Sequence, residues 1–134
     1  MKLFLKIPGV LALLAVSISV VLAQNEISLV SSGSSWRYLD NGSNQGTAWK
    51  ETDFNDTGWA TGFAELGFGD NNEVTVINKG PAGAQYRTFY FRKSFNVSAG
   101  QLNALQGDDP FYQLLVMLKR DDGAVIYLNG QEIL

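Results

Sequence analysis

Arg87-Thr88-Phe89-Tyr90-Phe91-Arg92-Lys93-Ser94-Phe95-Asn96-Val97 is the stretch on which the fold turns. Phe89, Phe91, Phe95 and Val97 share one face of an extended chain. Thr88, Tyr90, Arg92, Ser94 and Asn96 share the other. The period is two, interrupted at Lys93, and predicts a long strand. Upstream, Ile27 to Ser31 suits a first strand and Trp36 to Leu39 a second. Asp40-Asn41-Gly42-Ser43-Asn44, after the second, is a dense turn signal. Thr47 to Lys50 is expected to be briefly extended, and Asp53 to Gly58 is another turn. Gly62, Gly67 and Gly69 interrupt the stretch after Trp59, and Val74 to Ile77 is a compact β-branched strand.

Downstream, Ser98 to Leu105 accommodates a short helical turn and Gln106 to Pro110 a loop. Leu114 to Leu118 is apolar on both faces and is expected to be a central strand covered from both sides. Asp121-Asp122-Gly123 turns the chain, and Val125 to Leu128 returns. Asn129-Gly130 then favours a two-residue hairpin turn, whose central residues both need positive φ. Gln131 to Leu134 begins the returning strand. Many short strands joined by Gly, Asn and Asp turns predict an all-β protein, a β-sandwich. Such sandwiches take about 100 residues or more, and several of these strands are short. With Ile133 and Leu134 closing the sequence, the sandwich is expected to be cut short at its C-terminal end.

The N-terminus carries a different signal. Lys2 and Lys6 precede an apolar run from Val10 to Leu22, broken by Ser17 and Ser19, and Ala23 completes a cleavage-site pattern. This layout predicts a signal peptide over 1–23, cut after Ala23. The run is short for a membrane-spanning helix, which needs about 20 apolar residues. The expectation is therefore a secreted or periplasmic module over 24–134, with no membrane contact after cleavage. Without residues 1–23 the balance is 8 basic against 13 acidic side chains. That excludes a nucleic-acid partner on charge grounds, since no basic cluster exceeds Arg92-Lys93 or Lys119-Arg120. There is no cysteine and no histidine. Disulfide staples, Ser-His-Asp and Cys-His catalysis and the usual zinc sites are thereby excluded. A glycosidase would need two acids about 5–10 Å apart across a cleft, and the acids here cluster in turns. The chain itself is therefore read as non-catalytic.

Candidate binding residues fall in three groups. Trp36, Trp49 and Trp59 offer apolar faces on which a sugar ring can stack, or they build the core. Trp49, flanked by Thr47, Lys50 and Glu51, is the one expected to reach solvent. Tyr86 and Arg87 come after a Gly80-Pro81-Ala82-Gly83 loop and are candidate sugar contacts. Asp121 and Asp122 either make a plain turn with Gly123 or supply hard oxygen ligands for calcium. Asp53, Asn55 and Asp56, and the Asp70-Asn71-Asn72-Glu73 stretch, are further oxygen-rich turns whose plain reading is local capping. The triplets at Asn41, Asn55 and Asn96 fit the N-glycosylation pattern and are read as turn and strand chemistry.

Several of these pieces recur together: Trp36-Arg37-Tyr38-Leu39-Asp40-Asn41-Gly42, Phe54-Asn55-Asp56-Thr57-Gly58-Trp59, Glu65-Leu66-Gly67-Phe68-Gly69-Asp70, Tyr90-Phe91-Arg92-Lys93-Ser94-Phe95 and Tyr127-Leu128-Asn129-Gly130. The set resembles the galactose-binding-like jelly-roll modules of large secreted bacterial proteins. Those modules sit beside metallophosphoesterase, glycoside hydrolase or other extracellular domains. The resemblance implies a jelly-roll sandwich acting as a non-catalytic accessory module, carbohydrate-binding or spacer, of a larger hydrolase. It implies a polysaccharide or glycan and the downstream domains of the parent chain as partners. It also implies structural calcium in an early loop, with Asp53 or Asp56 as ligand. The stretch from Asp121 to Leu128 is similar to a flocculin-type lectin sandwich, in which an Asp-Asp pair holds calcium against a sugar. The alternative expectation is a calcium-stabilised structural or adhesive sandwich that binds no sugar.

Overall fold

The computed structural model describes residues 27–106, 114–121 and 123–134. The expected signal peptide, most of the Gln106–Pro110 loop and Asp122 lie outside the described residues.

The order of elements is β1 (Ser35–Leu39), a 3₁₀ turn (Ala48–Lys50), β2 (Ala60–Phe63), β3 (Leu66–Gly67), β4 (Thr75–Val76), β5 (Tyr90–Arg92), α1 (Ala99–Gln106), β6 (Tyr127–Leu128) and β7 (Gln131–Glu132). Strand outweighs helix, and antiparallel pairing predominates, as the alternation predicts. The three-stranded sheet places β1 between β2 and β5, antiparallel to both. Arg37 lies opposite both Thr61 on β2 and Arg92 on β5. β3 and β4 form a short parallel pair, tied to β2 where the Thr75 hydroxyl donates to the Phe63 carbonyl at 2.8 Å.

The Asn129-Gly130 reading holds. Asn129 has φ 49° and Gly130 φ 81°, which places both central residues where a two-residue hairpin needs them. The hairpin ladder continues past β6 and β7, because Ile126 and Ile133–Leu134 exchange further backbone hydrogen bonds at 2.8 Å. The helical turn after Ser98 also forms, and its N-terminus shows why. The Ser98 N–H donates to the Gln101 side-chain oxygen at 2.7 Å, and the Gln101 N–H donates to the Ser98 hydroxyl at 3.3 Å. This reciprocal capping satisfies two amides that the first turn leaves unpaired. Among the described residues no helix is long and apolar enough to cross a membrane.

Four expectations change. Ile27 to Ser31 is irregular rather than a strand. Thr47 to Lys50 is not extended: Ala48–Lys50 forms a 3₁₀ turn. The Arg87–Val97 strand shrinks to Tyr90–Arg92, and the face that goes inside is the one carrying Tyr90. Tyr90 is 9% exposed and Phe91 36%. Aromatics at 89, 90 and 91 make both faces apolar, so the alternation could not choose between them. Leu114 to Leu118 is not a central strand: no described strand pairs with it, and its side chains are exposed.

The core is small. Among the described apolar residues only Trp59, Ile77 and Tyr90 are buried. They are extended by a chain of edge-on rings. Phe54 meets Trp59 at 5.7 Å between centroids, Trp49 meets Tyr90 at 5.0 Å, and Trp49 meets Tyr127 at 5.5 Å. Trp49 therefore joins the three-stranded sheet to the β6–β7 hairpin. Such ring pairs add about 0.5–1.5 kcal/mol each beyond area burial.

The Asp70–Glu73 loop carries a titratable cap. The Glu73 carboxylate accepts the Asp70 N–H at 2.8 Å. That hydrogen bond, with further ones from N–H groups of the same loop, holds the Glu73 pKa below the ordinary glutamate value. A depressed carboxylate stabilises the fold above its unfolded-state pKa, and the contribution is lost as pH falls through the lower folded-state value. A carbon-detected NMR titration should therefore place the Glu73 midpoint below that of an unstructured glutamate. The Asp70 amide shift should follow the same curve, and Glu73→Gln should flatten it. A midpoint at or above the ordinary value would show that the cap does not form.

Candidate functional site

The turn after β1 and the segment entering β5 meet to form an open groove of about 500 Å³. Gly42, Ser43 and Asn44 make one wall. Residues 85–88 and Tyr90 make the other. The turn wall is built by its own side chains. Asn41 Oδ1 accepts both the Ser43 N–H and the Ser43 hydroxyl, at 3.0 and 2.6 Å. Asn44 Oδ1 accepts the Gly46 N–H at 2.9 Å. These are Asx turns, the local alternative that asparagine offers the backbone. The turn is then pinned to the sheet, since the Gln45 N–H donates to the Tyr90 hydroxyl at 3.2 Å.

Tyr86 is fixed by two glycines. A Cβ at Gly42 would lie 2.4 Å from Tyr86 Cδ1, and one at Gly80 3.0 Å from the same atom. Both glycines have positive φ, 73° and 88°. The Tyr86 N–H donates to the Lys79 carbonyl at 2.9 Å, so backbone and ring are held together. Chain reversals on each side thus bring main chain against the ring where a side chain would not fit. The nearest acid along the turn, Asp40, faces elsewhere: its carboxylate accepts the Asn78 N–H at 2.6 Å.

The expected site residues divide. Tyr86 and Arg87 do line one groove, together with Ser43, Asn44, Gln85 and Thr88, which the sequence reading did not single out. The Gly42 and Gly80 turns were visible as composition, but not as the clamp on Tyr86. Trp49 does not line the groove. It is half-buried and edge-on to Tyr90 and Tyr127, so it packs against the sheet and the hairpin as well as keeping part of its surface in solvent.

Asp53 is exposed in its turn. Asp56 is not an open ligand: its Oδ1 lies 3.2 Å from Arg37 Nε and its Oδ2 3.0 Å from Arg92 Nε. This network borders a second, smaller groove of about 270 Å³ beside β1 and β5. Asp121 is exposed in a bend, and Asp122 lies outside the described residues. Among the described residues no three or more acidic, histidine or cysteine side chains are grouped to hold a metal ion.

The first groove is suited to hold a polar molecule through several hydrogen bonds. Its lining offers hydroxyl, carboxamide and guanidinium groups, with aromatic carbon from Tyr86 and Tyr90. No protein-family model matches the chain, and no curated protein or solved structure matches it.

Proposed function

We propose that this chain is a non-catalytic accessory module of a larger secreted hydrolase, a galactose-binding-like jelly-roll that holds a glycan in the Tyr86–Arg87 groove. The groove's lining carries this reading. Sugars are recognised by planar amide and hydroxyl groups around an aromatic carbon surface, and Asn44, Gln85 and Thr88 supply the former beside Tyr86. The lining is made of neutral hydroxyl and carboxamide groups beside one guanidinium, which suits hydrogen-bonded binding of a sugar. The clamp on Tyr86 supports the same reading, because a ring already fixed loses little freedom when a ligand binds. The predicted signal peptide supports export.

Affinity electrophoresis and a glycan array test this with the intact chain. Binding to at least one polysaccharide is expected. Gln85→Ala, at an exposed position, should weaken it about fivefold, in line with about 1 kcal/mol for a hydrogen bond. Its melting temperature should not change. If no glycan binds, the module is the structural or adhesive sandwich instead. In that case a melting temperature raised by millimolar calcium, and restored by Asp53→Asn or Asp121→Asn, would identify an ion as its stabiliser.

A further inference from the structure

The charge of the groove narrows the ligand. We propose that it takes an acidic polysaccharide, a chain of uronate sugars whose carboxylate is held by Arg87; this rests on the glycan-binding reading above. Arg87 is exposed and is the one charged side chain in the lining. A guanidinium presents a planar fork of donors that matches a carboxylate with two parallel hydrogen bonds. The Asn44 Nδ2 donor and the Gln85 carboxamide stand beside it to meet a pyranose ring's hydroxyls, while the Ser43 hydroxyl and Asn44 Oδ1 hold the turn. Among the described residues no acid lines the groove. Asp40, the acid nearest in the turn, is tied to the Asn78 N–H.

The acidic balance of the chain is the main force against a polyanion. Its reach decides the matter. At physiological ionic strength charges are screened beyond about 8 Å, whereas a guanidinium–carboxylate pair acts at hydrogen-bond distance. The local pair therefore outweighs the distant surplus of acids for a ligand that places one carboxylate in the groove.

The test uses polygalacturonate, its methyl ester and a sulfated galactan, with binding measured by titration calorimetry and affinity electrophoresis on the intact chain. The methyl ester keeps the backbone and removes the charge. Polygalacturonate should bind about threefold to fivefold more tightly than the ester, the scale of an exposed ion pair. Arg87→Gln should remove that preference with the melting temperature unchanged, and Arg87→Lys should restore part of it. Equal binding of acid and ester, an Arg87→Gln variant that keeps the preference, or selective binding of the sulfated galactan would overturn the uronate assignment. Binding of a neutral glycan alone, lost on Gln85→Ala, would overturn it too and leave the glycan-binding reading intact. Binding of no glycan would remove both.

Discussion

Gly42→Ala is expected to destabilise the module by about 2–5 kcal/mol and to open the Tyr86–Arg87 groove. Two separate effects add. The residue sits at φ 73°, where a side chain crowds the following carbonyl and costs about 1–2 kcal/mol. The new methyl would also lie 2.4 and 2.5 Å from two carbons of the Tyr86 ring. A flexible side chain could swing away, but a ring moves as one body, and Gly80 also lies against the same ring edge. Overpacking of this kind costs about 1–3 kcal/mol. For a domain whose total stability is about 5–15 kcal/mol, the sum is a large fraction.

Gly46→Ala separates the two effects. Gly46 also has positive φ, 59°, but nothing lies within 4 Å of a Cβ built there. It should cost only the backbone share, about 1–2 kcal/mol. Pairing Gly42→Ala with Tyr86→Ala should recover the packing share, which a double-mutant cycle reads directly. Urea midpoints at unchanged m-value measure all four variants. If Gly42→Ala and Gly46→Ala cost the same, the ring is not clamped and the preorganised groove fails with it.

Local chemistry made part of this molecule legible in its sequence. Asn129-Gly130 specified its hairpin turn because positive φ is a property of those residues alone. Ser98 and Gln101 specified a helix start because the cap closes within one turn. Trp36 to Leu39 showed as a strand through its flanking turns. What stayed hidden depends on partners far along the chain. Tyr90 is chosen over Phe91 for the interior because its hydroxyl meets the Gln45 N–H, 45 residues away, and its ring meets Trp49. Trp49 turns inward because the other side of that contact is Tyr127, on a hairpin near the opposite end of the sequence. Leu114 to Leu118 shows the reverse error: an apolar pattern states what a segment could bury, and not what covers it. For the site, Tyr86 and Arg87 were readable as residue types after a glycine-rich loop, whereas their meeting with Ser43 and Asn44 required the pairing of β1 with β5.

That same pairing poses an electrostatic problem, and its solution gives the second large effect: Asp56→Ala should lower stability by about 2–3 kcal/mol. β1 and β5 set Arg37 directly opposite Arg92, and like charges so placed are destabilising. Asp56 bridges them with one oxygen each, at 3.2 and 3.0 Å. The Asp56 carbonyl accepts a further hydrogen bond from Arg37 Nη1 at 3.3 Å. Arg92 also donates to the carbonyls of Trp49 and Glu51 and lies 5.2 Å from the centre of the Phe54 ring. Arg92 therefore fastens the 3₁₀ turn to the sheet only while its charge is balanced. Removing one partner of a buried ion pair costs about 3–5 kcal/mol, and an exposed pair is worth about 0–1. The side chains of Asp56 and Arg92 are 24% and 15% exposed and that of Arg37 39%, so the expected value falls between those limits. Arg37→Ala, at the wetter end, should cost about 1 kcal/mol or less. Combined with Asp56→Ala it should recover part of the loss, because the cross-strand repulsion disappears with it. Near-UV circular dichroism should weaken in Asp56→Ala as Trp49 loses its anchored carbonyl. A urea midpoint within error of the parent, together with an unchanged near-UV spectrum, would show that the arginines are solvated independently and that the sheet does not depend on Asp56.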